Sequence, residues 1–162
     1  MVFIKNSLRQ PHGWLGDPAM SDCGVMPMTP RVIIVHGIAH ARAVAAAATK
    51  LDVVVRIRSA PGAAAYAGAG WFMEMIAIVR AEFPNARIEA SLDCADAPGY
   101  AMAALRRGAD MIRFRGTRTA REKVAQLADA HGAVLDLSRA VPLDLSGIGD
   151  PEWACLGWLG RR

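Results

Sequence analysis

Arginines and carboxylates alternate with apolar residues in several short β-branched runs, and this spacing is where chemistry can be sought. Arg56 and Arg58 flank Ile57, Glu89 to Asp93 alternates with Ala90 and Leu92, Arg113 and Arg115 flank Phe114, and Asp136 and Ser138 flank Leu137. A period of two puts each polar set on one face of a strand. Four guanidinium groups (Arg56, Arg58, Arg113, Arg115) then stand against three carboxylates (Glu89, Asp93, Asp136), which leaves one positive charge over. A small anion, phosphate or carboxylate, satisfies such a charge through the planar guanidinium fork. Arg58, Ser59 and Arg115 are therefore the expected anion-binding residues, and His36 with Asp93 the expected catalytic acid–base pair. Such groups suit lyase or isomerase chemistry on a phosphorylated or carboxylated metabolite. The same residues also read as a closed network of ion pairs, which buried charge requires. On that alternative the chain is a non-catalytic oligomerising or regulatory domain.

The stretch Ser59 to Trp71 holds Gly62, Gly68 and Gly70 among small side chains. Open backbone amides just before a helix favour an anion, so these three glycines join the expected anion site. No Lys-Ser/Thr follows them, so this is no P-loop. Gly68-x-Gly70 has part of a dinucleotide fingerprint, but the glycines begin well beyond the strand end and Met73 stands at the third glycine position. A turn packed close to its helix accounts for them better than a nicotinamide cofactor, and no cofactor is assigned. His36 and His40 have the i, i+4 spacing of two metal ligands, but Gly37 stands where a catalytic Glu would follow, and no metal site is expected. Cys94 follows Asp93 and so takes the opposite, buried face, where a thiol is inert.

The elements that must position these groups follow from periodicity. Val32–His36, Asp52–Arg58, Arg87–Asp93, Asp110–Arg115 and Val134–Leu137 read as strands. Between them lie a helix from Ala39 to Leu51, one carrying Phe72, Met75, Ile76, Val79 and Phe83 on a stripe, a short one ending at Arg107, and one from Thr117 to His131. Five successive βα units predict an α/β fold with a parallel sheet and right-handed crossovers. The signs of the charges alternate from strand to strand, as they must if sequence neighbours are sheet neighbours, and this predicts a sequential, partial (βα)-barrel. A doubly wound three-layer sandwich is the alternative. Residues 1–30, rich in proline and glycine, read as a loose arm, 31–140 as the α/β domain, and 141–162 as a C-terminal tail whose Trp153 and Trp158 form an interface.

The chain has 162 residues, a net charge of +4 and 53% hydrophobic residues, a composition for one domain with a real core. Its arginines are scattered among acids, which argues against a nucleic-acid partner. No apolar run reaches the ~18 residues of a membrane span, and no signal-peptide core follows Met1. Three widely spaced cysteines form no CxxC pair, so a reducing cytoplasm is the expected location. Five strands leave edges and a concave face uncovered, and a homodimer is the expected remedy.

Overall fold

The computed structural model describes residues 30–161. Six parallel strands, β1 (Arg31–Val35), β2 (Val55–Ser59), β3 (Ile88–Asp93), β4 (Met111–Arg113), β5 (Val134–Leu135) and β6 (Leu143–Asp144), form one sheet in the order β5-β4-β3-β2-β1-β6. The first five stand in chain order, as the alternating signs predict, and the doubly wound alternative is excluded. Six helices accompany them: α1 (Ile38–Leu51), α2 (Ala63–Tyr66), α3 (Ala69–Glu82), α4 (Pro98–Arg106), α5 (Arg118–Ala130) and α6 (Pro151–Leu159).

Helices α6, α1, α3, α4 and α5 pack one on the next in the same order as the strands they accompany. Their buried side chains join Ile33, Val35, Ile57, Leu92, Ile112 and Phe114 in one apolar core. All these strand residues share a parity, so the core lies on one face of the sheet. Alanine dominates the buried face of α1 (Ala41, Ala45, Ala47, Ala48), which lets this helix lie close to the strands. Helix starts are marked by side chains that replace missing backbone partners: Thr117 accepts from the Ala120 amide and Asp150 from that of Trp153. Phe83 ends α3 just before Pro84.

Two segments differ from the sequence reading. Ala63–Tyr66, expected as loop, is a single helical turn between Gly62 and Gly68, whose φ of +68° and +82° only glycine adopts freely. Residues 141–161, expected as a tail, contribute a strand and a helix. Leu143 pairs with Ile33 and Asp144 with Ile34, so β6 covers the β1 edge, and α6 packs on α1. Leu145, Cys155 and Leu159 enter the core, and Trp158 packs against it, while Trp153 is exposed. The arm expected over 1–30 lies outside the described residues except at Pro30.

The link from β5 to β6 has consequences for the polar face. In a flat sheet these strands are five spacings apart, about 24 Å. Eight residue steps separate Leu135 from Leu143 and reach at most about 28 Å. The link is short and holds no helix. It crosses the polar face, where Ser138, Arg139, Ala140 and Pro142 lie over Ile34 and Arg58.

Candidate functional site

Register places the polar residues side by side. Arg56 is level with Glu89 and Arg58 with Ser91 across β2 and β3, and Asp93 is level with Arg113 across β3 and β4. Arg56 Nε donates to Glu89 Oε2 at 2.8 Å, the cross-strand pair that alternation predicts. The other partner of Arg56 is less local: its Nη1 donates to Asp136 Oδ1 at 2.9 Å. Arg58 donates to Asp136 Oδ2 from Nε at 3.1 Å and from Nη2 at 2.7 Å. Three strand spacings, about 14 Å in a flat sheet, separate β5 from β2. The sheet therefore curls toward its polar face, and Asp136, leaving β5, is carried over β2.

Asp136 is the hub of this half of the face. Its side chain is fully buried and also accepts from Ser91 Oγ and from the Ser138 amide, both at 3.0 Å. Burial pushes its pKa up, but the Ser138 amide, Arg58 and Ser91 outweigh burial and hold it below the ordinary carboxylate value. Arg58, only 5% exposed at its side chain, is thus tied into a closed network, with Nη1 left outside the pair.

The other half is open. Arg113 Nε lies 3.9 Å from Asp93 Oδ2, and its Nη1 lies 3.8 Å from Asp136 Oδ2 and donates to the Ser138 carbonyl. Burial and the charge of Arg58 lower its pKa, against the pull of Asp136 and Asp93. A guanidinium nonetheless stays charged. Arg115, half exposed, makes one 3.3 Å contact, from Nη2 to Asp93 Oδ1. These two arginines line a cavity of about 180 Å³ with Ile34, Arg58, Ser59 and Asp93, at the carboxyl ends of the strands. Beyond the same arginines lies a second cavity of about 300 Å³, reaching Gly116, Arg121 and Asp136. Ser138 and Arg139 border both.

The expected site residues separate into groups. Arg58, Ser59, Asp93 and Arg115 meet at the smaller cavity. Asp93 does not bond His36; its Oδ1 accepts from the Gly62 and Ala95 amides, each at 2.9 Å, and from Arg115, leaving Oδ2 toward Arg113. The Gly62 amide is thereby occupied. Gly68 and Gly70 line neither cavity, and Gly70 packs under Arg107, whose Nη1 a Cβ would meet at 2.8 Å. His36 finds its carboxylate on β6: Nε2 stands 2.6 Å from Asp144 Oδ1. Asp144 is held ionised against its burial by the Ser146 amide and His36. His40 Nδ1 accepts from the His36 amide, and burial together with His36 lowers the His40 pKa. Among the described residues no three His, Cys, Asp or Glu side chains stand close enough to hold a metal. Asp144 and Arg139 escaped the sequence reading, and no periodic signal marks either. Cys94 is buried as parity requires, and burial and Asp93 push its thiol up to about 12.

Curvature toward a polar face, sequential parallel strands and helices on the other face define the architecture. The chain is folded as part of a (βα)-barrel. Among solved structures it is similar to a candidate fructose-1,6-biphosphate aldolase from Coccidioides immitis, with a TM-score of 0.54 and 19% identity over 65% of this chain. The chain spans 44% of that protein's length, and the likeness carries the fold alone. No family model and no curated protein matches the sequence. No helix among the described residues is long and apolar enough to cross a membrane.

Proposed function

We propose that this protein binds a small metabolite through a phosphate or carboxylate group in the strand-end cleft, with Arg113 and Arg115 as the principal cations. One observation carries the reading: these two arginines line a cavity while their nearest carboxylate contacts are 3.3 Å or longer. Arg56 and Arg58, by contrast, each have a carboxylate oxygen at 2.7 Å. An anion between Arg113 and Arg115 gains charge-assisted bonds without breaking any such pair. The carboxyl ends of the strands are also where parallel α/β folds gather their ligands.

Lyase or isomerase chemistry on the bound metabolite fits the groups nearby. Asp93 lines the cleft with one oxygen committed to amides and the other free of any closer contact than Arg113 at 3.9 Å, the arrangement of a proton acceptor fixed in place. Of the expected acid–base pair only Asp93 lines the cleft; His36, held through Nε2 by Asp144, lines neither cavity. The closed half of the face, around Asp136, supports the alternative of a structural charge cluster for those residues only.

A panel of phosphate, sulfate, acetate and uncharged sugars, read by thermal unfolding, tests the proposal. The anions should raise the transition and the sugars should not, and Arg115→Ala should remove the effect. Equal shifts for the wild type and Arg115→Ala would place any anion elsewhere.

A further inference from the structure

The second cavity carries an inference that rests on the anion reading and narrows its ligand. The two cavities adjoin: Arg113, Arg115, Ser138 and Arg139 line both. The larger receives one cation that the smaller lacks, Arg121 from the first turn of α5. Among the described residues Arg121 and Arg139 meet no carboxylate, and both are exposed. Asp136, the acid in this cavity, has its two oxygens taken by Arg56 and Arg58. Cationic groups thus outnumber available carboxylate oxygens at both ends, and the arginines between them reach either side.

We propose that the ligand carries two anionic groups joined by a short spacer, one group in each cavity, with the shared Arg113 and Arg115 between them. A single anion fills one cavity and leaves Arg121 in water. A bis-anion engages both ends, and tethering makes its second contact intramolecular, at high effective concentration. Ligand length then matters. The spacer must match the distance between the two groups' positions, so affinity passes through an optimum.

Isothermal titration of the full chain with phosphate, acetate and the dicarboxylates from malonate to adipate tests this. One dicarboxylate should bind at least tenfold tighter than acetate and tighter than both its shorter and longer homologues. Arg121→Ala, a change on an exposed helix surface, should cut that advantage about tenfold and leave phosphate affinity unchanged, and Arg121→Lys should retain most of it. Phosphate binding without any length optimum, or an equal loss for phosphate and dicarboxylate in Arg121→Ala, overturns the two-group ligand while the anion site stands. Binding of none of these probes overturns both.

Discussion

A charge on a strand is structural or available according to what its remaining hydrogen-bonding atoms face. Asp136 illustrates the first case, since its oxygens accept from Arg56, Arg58, Ser91 and the Ser138 amide. Asp136→Asn should cost about 3–5 kcal/mol in urea unfolding, because it leaves the buried Arg58 without its counter-charge. The pKa of Asp136 is depressed in the folded state, so its contribution is complete above the unfolded carboxylate value, ~3.9. It is lost as pH falls through the lower folded value. The stability gap between wild type and Asp136→Asn should therefore be full at pH 7 and shrink steadily below about pH 4; a gap independent of acid would contradict this assignment. The participants in this network were legible in the sequence as charges on one parity, but their pairing was not. A period of two says which residues share a face; it does not contain the curvature that carries Asp136 past β4 and β3 to β2.

At the scale of elements, legibility depended on length. Runs such as Val55–Ser59 and Ile88–Asp93 announce themselves by alternation, and their opposite charge signs also revealed the order of the strands. Leu143–Asp144 is two residues long and follows Pro142, so no pattern marks it as a strand, and Asp144 went unseen with it. The four-residue α2 escaped for the same reason. Segment 143–161 is nonetheless part of the core. Leu145, with no exposed surface, packs in the same cluster as Ile33 and Val44. Leu145→Ala should lower stability by about 2–5 kcal/mol, the range for a fully buried leucine. A loss below about 0.5 kcal/mol, typical of surface positions, would return this segment to the status of a tail.

On the scale of the molecule, a six-stranded arc has two edges, and both outermost strands are only two residues long. Val134 and Leu137 are exposed around the β5 edge. Unpaired strand edges and apolar surface invite a second copy, and the proposed assembly is a homodimer. Light scattering should give about twice the 17.3 kDa of the chain, and a mass of one chain at micromolar concentration would reject the dimer. The molecule's central division is between the closed half of its polar face and the open half, and urea unfolding with and without phosphate tests that division most directly. Arg115→Ala should keep stability within about 1 kcal/mol of the wild type, since Arg115 is half exposed and the buried Asp93 keeps the Gly62 and Ala95 amides and Arg113. It should lose the increment of roughly 2–4 kcal/mol that saturating phosphate gives the wild type. Arg58→Ala, which breaks a buried ion pair by removing one of the two arginines bonded to Asp136, should instead lose about 3–5 kcal/mol whether or not phosphate is present. Large losses in both variants, with no effect of phosphate on the wild type, would mean that the whole polar face is a structural charge cluster.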